Sequence, residues 1–308
     1  MLTQIKGLHH VTSLASGAQA NNAFFTGALG LRRVKKTVNF DAPDVYHLYY
    51  GDEVGTPGSV MTYFPFPNAA PGQRGVGEVS RTAFSVPRGS LDHWANRLAA
   101  HGATNIAADQ YFGAPRLQFT GPDRDDFALI EAEDARSPWT GGGVDADHAL
   151  RGFHSAAMRL ADSGATAEVL RFMGYEADET DGAMTRFQLP GGNGADSIDL
   201  EVIPDAAAAR QGAGSVHHIA FAVENRAAQL QVRKALLDTG HQVTPVIDRD
   251  YFWAIYFRTP GGVLFEIATN EPGFDVDEDT SNLGEALKLP DHHAHLRARL
   301  EAQLDPIL

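Results

Sequence analysis

Four stretches of this chain open alike: "GLHHVTSLA" (7–15), "VSRTAFSVP" (79–87), "GFHSAAMRL" (152–160) and "VHHIAFAVE" (216–224). Each reads as an apolar strand, and behind each comes a helix-forming segment, at 18–34, 90–103, 163–177 and 226–243. In the second, Leu91, Trp94 and Leu98 share a face and Gly102 follows as a stop. Short apolar or alternating runs split by turn residues complete the units, at 44–66, 116–134, 184–204 and 251–271. Strand, helix and further strands thus recur at a period of roughly 65–75 residues, and repetition on that scale constrains the architecture before any other property does.

One such unit has a curved sheet with a bare face. Two units cover it and make a half-closed barrel, so four make two. The expected fold class is α+β, with four βαβββ modules forming two half-closed barrels. Modules are expected at 5–66 and 77–134, a first pair within 5–135, and at 150–204 and 214–272, a second pair within 150–272. Residues 273–308 then form an acidic and helical C-terminal tail. The strand ends "ALIEA", "DLEVI" and "VLFEI" place Glu131, Glu201 and Glu266 near what reads as one repeat position.

Composition narrows the function. The net charge of −14, from 39 acidic and 25 basic residues, argues against nucleic acid and anionic membrane surfaces as partners, because both need a basic footprint. No apolar run approaches the ~18–20 residues of a membrane helix. The N-terminal "MLTQIKGLHHV" has no signal-peptide core. The chain has no cysteine, which removes disulfides and thiolate ligands and fits the cytoplasm, the expected location. Any metal must be held by oxygen or by some of the 13 histidines.

Two units carry a His-His pair, His9–His10 and His217–His218. Strand side chains alternate between faces, so His218 falls with the small Ala220 and Ala222, and His10 with Thr12, while His9 and His217 turn the other way, toward the rim. Glu266 lies within "GGVLFEIAT", where a buried carboxylate is costly unless paired or bound to a metal. His10, His218 and Glu266 make a two-histidine, one-carboxylate set that leaves coordination positions open. Such a set suits Fe(II), and Mn(II) or Zn(II) are compatible with it. Arg81 and Ser155 hold the histidine position in units two and three, so one metal site is expected, between modules one and four. In the tail, His292, His293 and His295 read as a solvated helix face.

With "LHHVT", "VHHIAFAV" and "DRDYFWAIYFRTPGGVLFEIAT", the chain resembles the vicinal oxygen chelate superfamily (glyoxalase, bleomycin resistance and extradiol dioxygenase proteins) over residues 5–272. Within it, the similarity is to ring-cleaving dioxygenases that act on hydroquinones. The resemblance implies Fe(II) on His10, His218 and Glu266, a small aromatic substrate with O2, and roles around the metal for His9, Thr12, His217, Arg249 and Tyr256. Tyr256 would then reach a ligand oxygen, Arg249 would face an anionic phenolate, and His9 or His217 would move protons. Phe252, Trp253 and Phe257 would line or back an apolar pocket. Three alternatives remain. A glyoxalase-type isomerase uses four protein ligands, whereas the unit-one match to Glu266 reads as Tyr63. A catechol extradiol dioxygenase takes its ligands from units three and four, against which Ser155 speaks. A non-catalytic small-molecule-binding module would not need the triad. A homo-oligomer is a common state for such proteins, which the sequence leaves open.

Overall fold

The computed structural model describes residues 1–307. Unit one supplies β1 (Ile5–Ala15), β2 (Arg32–Val38), β3 (Tyr46–Gly51) and β4 (Val60–Pro65), and unit two β5 (Glu78–Val86), β6 (Thr104–Tyr111), β7 (Ala114–Thr120) and β8 (Asp126–Glu131). Unit three supplies β9 (Phe153–Leu160), β10 (Glu176–Asp181), β11 (Met184–Gln188) and β12 (Ser197–Val202), and unit four β13 (Val216–Val223), β14 (Ile247–Asp248), β15 (Phe252–Arg258) and β16 (Leu264–Pro272). A helix follows the first strand of every unit: α1 (Ala18–Asn22), α2 (Leu91–Ala100), α3 (Gly164–Phe172) and α4 (Arg226–Asp238). The helical segment of unit one is shorter than its 18–34 pattern. It winds into π-helical turns over Ala23–Ala28, and Gly30, at φ 67°, turns the chain into β2. At α4, the Asn225 side chain accepts from the Ala228 N–H and satisfies one of the free donors at the helix start.

Two eight-stranded sheets result, in the orders β14-β15-β16-β13-β1-β4-β3-β2 and β10-β11-β12-β9-β5-β8-β7-β6. Antiparallel pairing of β1 with β13 joins unit one to unit four, and pairing of β5 with β9 joins unit two to unit three. Neither chain-order half, 5–135 or 150–272, therefore holds a sheet of its own. The opening strands look alike in all four units, so their patterns do not say which two will meet.

Alternation then sorts the side chains. Leu48, Tyr50, Ile219, Phe221, Ile255 and Phe257 enter one large core, continuous with Trp94, Leu170 and Val232 from the helices. The intervening Tyr49, Ala220, Phe252 and Ala254 form a smaller cluster on the inner face of the first sheet. Its counterpart in the second sheet is Ala83, Tyr111, Ala128 and Ile130.

After β16 come three 3-10 turns and α5 (Arg297–Gln303). This segment packs on the first sheet, with Phe274 and Leu283 in the inner cluster. Two of its acidic residues, Asp277 and Glu278, pair with the fully buried ammonium of Lys35. His293 bonds the Phe40 carbonyl at 2.9 Å. Among the described residues no helix is long and apolar enough to cross a membrane.

Candidate metal centre

Register builds the site. On the inner face of the first sheet, His10 lies opposite Ala220, Ala220 opposite Glu266, and Glu266 opposite Tyr256, so one row crosses β1, β13, β16 and β15. His218 lies one step along, opposite Thr12. His218 Nε2 is 2.8 Å and His10 Nε2 3.5 Å from Glu266 Oε2, and the two Nε2 atoms are 3.3 Å apart. Among the described residues, these three form the one group placed to hold a metal ion.

The set fits a divalent cation. Ligands at about 2.1 Å from one ion and at right angles to each other stand roughly 3 Å apart. Glu266 is fully buried, and its Oε1 has no hydrogen-bond partner. Burial would raise its carboxyl, yet the positive charge that His10 and His218 carry when protonated holds it well below the usual carboxylate range, as a cation bound at the same point would. Burial lowers His218, which favours the neutral imidazole that a metal ion needs as ligand.

The first histidine of each pair sets the tautomer of the second, the candidate ligand. For its Nε2 lone pair to face the shared point, His10 must carry its proton on Nδ1. His9 Nδ1 receives that proton at 2.9 Å, so His9 is protonated on Nε2 and donates to the Thr269 carbonyl at 3.1 Å. His218 Nδ1 meets His217 Nδ1 at 2.8 Å in the same way, and His217 lines the pocket. Burial lowers His9 to about 3 and His217 to about 4.

Simple alternation places His9 and His217 on the far face, and the structure corrects this. The β1–β13 register steps from Leu8↔Phe221 to His10↔Ala220, leaving His9 as an extra residue, and from Thr12↔His218 to Ser13↔Val216, leaving His217 extra. Each pair thus sits at a β-bulge, which turns two consecutive side chains to one side.

A cavity of about 490 Å³ opens over the triad, lined by Leu14, Phe40, His47, Phe64, Arg249, Phe252 and Tyr256 among others. Arg249 donates from Nε to the Tyr256 hydroxyl at 3.3 Å and lies 3.6 Å from Asp41, rather than pairing with its neighbours Asp248 or Asp250. Burial first, then the Glu266 charge, raises Tyr256 well above the usual phenol range, so it stays a hydroxyl. Phe252 lines the cavity as expected, whereas Phe257 enters the large core and Trp253 lies under the Arg226 guanidinium.

Three repeat positions differ from the sequence reading. Thr12, two residues past His10, pairs with Thr62, as Ala220 pairs with Glu266, so the unit-one counterpart of Glu266 is Thr62 and not Tyr63. The Tyr63 hydroxyl points away to Asp125. In unit three the counterpart is Asp199, opposite Ala157, and not Glu201. In unit two it is Ala128, opposite Ala83, and not Glu131. Pattern alignment of strand ends slips easily, because only pairing fixes register. Arg81 and Ser155 do occupy the positions of His10 and His218. The sequence reading also missed His47, whose one signal was a polar residue sharing a face with Tyr49 in "YHLYYG".

With this geometry in hand, comparison with known proteins decides the family. A model of the Glyoxalase/Bleomycin resistance protein/Dioxygenase superfamily matches residues 7–267. The chain belongs to that superfamily. Among its members, the chain is 39% identical over 308 residues to MhqO of Bacillus subtilis (strain 168), a protein provisionally named a ring-cleaving dioxygenase, with 99% of this chain and 98% of MhqO covered. It is 35% identical over 297 residues to the chlorohydroquinone/hydroquinone 1,2-dioxygenase of Sphingobium indicum, covering 93% and 92%. A crystal structure of a provisionally named dioxygenase from Bacillus subtilis superposes with a TM-score of 0.95 at 38% identity, covering 99% and 98%. Glyoxalase I from Zea mays, at 13% identity and a TM-score of 0.64 over 86% and 92%, shares the fold alone.

Proposed function

We propose that this superfamily member is an Fe(II)-dependent dioxygenase that opens a hydroquinone-type aromatic ring with O2. The observation that carries the reading is the triad itself: three buried protein ligands, a carboxylate oxygen without a partner, and an apolar cavity above them. Three ligands leave positions open on an iron ion, which suits joint binding of a phenolic substrate and O2. The name of the Sphingobium indicum relative supports a 1,4-diol over a 1,2-diol. A four-ligand isomerase site finds no support, since Thr62 stands where a second carboxylate would be needed.

His10, His218 and Glu266 would hold the metal, which when bound supplies a Lewis acid and a path for electrons between ring and oxygen. Phe252 and Phe64 give the substrate ring an apolar wall. Arg249 holds the Tyr256 oxygen, which leaves the Tyr256 proton to be donated to an oxygen of the ligand. The Arg249 guanidinium also places positive charge at the wall, where a phenolate needs it. His217, at the pocket wall with its Nε2–H uncommitted, is the histidine placed to exchange a proton with substrate, whereas the His9 proton is tied to Thr269.

Oxygen uptake by protein loaded anaerobically with Fe(II) tests the reading. Hydroquinone or methylhydroquinone should drive uptake, catechol should drive less, and Glu266→Ala should abolish it together with iron binding. Iron-loaded protein that consumes no oxygen with any of these diphenols would overturn it.

A further inference from the structure

The cavity over the triad has walls of two kinds. Phe64 and Phe252 stand on β4 and β15, and pairing with the neighbouring strands fixes them. Asn39, Phe40, Asp41 and Ala42 also line the cavity, and they lie in the connection 39–45 between β2 and β3. That connection is closed by its own backbone. The Asn39 N–H donates to the Val45 carbonyl at 2.8 Å, and the Val45 N–H to the Ala42 carbonyl at 3.0 Å. These bonds set the turn and leave Phe40 at its tip. Phe40 is half-buried and enters neither the large core nor either smaller cluster. Its place at the cavity wall therefore depends on contacts from outside the connection.

Those contacts come from the tail. The segment after β16 runs beside β2, where the Lys288 N–H donates to the Lys36 carbonyl at 2.9 Å. It then meets residues 40–46 at three points. His293 Nε2 bonds the Phe40 carbonyl at 2.9 Å, the Arg299 guanidinium donates to Asp44 at 2.7 Å, and the Tyr46 hydroxyl donates to the Asp305 carbonyl at 3.0 Å. The Arg299–Asp44 pair is exposed on both sides and contributes little. A carbonyl can only accept, so His293 carries a proton on Nε2. The Phe40 ring lies 5.9 Å from the His292 ring and 5.4 Å from the Arg249 guanidinium. His293, expected on a solvated helix face, is thus bonded directly to a residue of the cavity wall.

We propose that His293 is a positioning residue, which holds Phe40 as an aromatic wall against which the ring of the substrate packs, so that the tail belongs to the substrate-binding site. That the occupant is a hydroquinone-type ring rests on the ring-cleaving reading, while the hold of the tail on Phe40 does not. Packing of one ring on another is made in the bound substrate and kept through the reaction. Its loss therefore weakens binding and spares the chemical step. Arg249 keeps its own bond to the Tyr256 hydroxyl when Phe40 is released.

Two measurements on the full chain test this. Hydrogen exchange, followed peptide by peptide, reads the hold without any turnover. His293→Ala should speed exchange across 39–45 about fivefold, the scale of one lost hydrogen bond, and leave β13 and β16 as they were. His293→Gln keeps a donor in the place of Nε2 and should restore protection. Equal exchange in His293→Ala and the parent would overturn the inference whatever the enzyme turns over. The second measurement compares Fe(II)-loaded variants by oxygen uptake with methylhydroquinone. His293→Ala should raise KM about fivefold at a retained kcat, and His293→Gln should bring KM back. In a Phe40→Ala background, His293→Ala should cost nothing further. A parental KM in His293→Ala would show that this residue only ties down the tail, and losses that multiply with that of Phe40→Ala would show that it acts elsewhere. Either result would overturn the inference. If the parent protein consumed no oxygen with any diphenol, the ring-cleaving reading would fall, and exchange across 39–45 would still decide whether the tail holds this wall.

Discussion

Glu266 and Asp199 hold the same place in the two sheets, one opposite Ala220 and the other opposite Ala157, yet their carboxylates are satisfied in opposite ways. Asp199 accepts two parallel bonds from Arg186, at 2.8 and 3.0 Å, and a third from the Tyr111 hydroxyl at 2.9 Å. Glu266 faces two imidazole nitrogens and keeps Oε1 unpaired. The repeat has kept a buried carboxylate in both half-barrels. One is closed internally by a guanidinium, and the other is left for a cation.

Removing Arg186 should therefore cost stability and not metal. Arg186→Ala leaves the buried Asp199 charge without its cation and with the Tyr111 hydroxyl as its remaining donor, a loss of about 3–5 kcal/mol. Urea unfolding should show that drop while the metal content of folded protein stays at the parental value. The double change Arg186→Met with Asp199→Leu should recover most of the loss. A single variant as stable as the parent would contradict the pairing.

His9 should matter to the metal without touching it. Its Nδ1 fixes the His10 tautomer, and partners of this kind are worth about 10–100-fold in metal affinity. Titration of His9→Ala against a competing chelator should show a weakening in that range, with the fold intact by circular dichroism. Unchanged affinity would remove His9 from the site.

Asp125 should give the protein a particular pH dependence. Burial pushes its carboxyl up to about 6, against about 3.9 in an unfolded chain. The native state then holds the proton more tightly than the unfolded one. This stabilisation is fully present below about pH 4 and is lost as pH rises through about 6, about 3 kcal/mol in all. Asp125→Asn cannot titrate, so the stability of the parent relative to that variant should fall by about 2 kcal/mol between pH 4 and pH 7, most of that total. A constant difference across that range would contradict the assignment.

The acidic segment after β16 should depend on one buried cation. Lys35 is fully enclosed, and Glu278 is the better buried of its two partners. Glu278→Ala should destabilise the protein by a few kcal/mol, on the scale of about 3–5 kcal/mol for breaking a buried pair. Limited proteolysis should then cut within 273–296 faster than in the parent. Equal cutting rates would show that the apolar contacts of Phe274 and Leu283 hold the segment without the ion pair.

The sequence by itself determined the four units, the single inner-face carboxylate of unit four, and the two imidazoles that point at it, because alternation and motif spacing are local properties of a strand. Alternation put His10, His218 and Glu266 on the inner faces of their strands, and pairing brought them together. The tertiary structure decided what local patterns cannot encode. Pairing of β1 with β13 chose which units share a sheet. The bulges at His9 and His217 reversed the faces that alternation gives them, and register put Thr62 and Asp199 where Tyr63 and Glu201 were expected. His47 entered the pocket only because β3 lies beside β4. Each of these depends on hydrogen bonds between strands far apart in sequence, and a slip of one residue in such a ladder changes the face of every side chain along it.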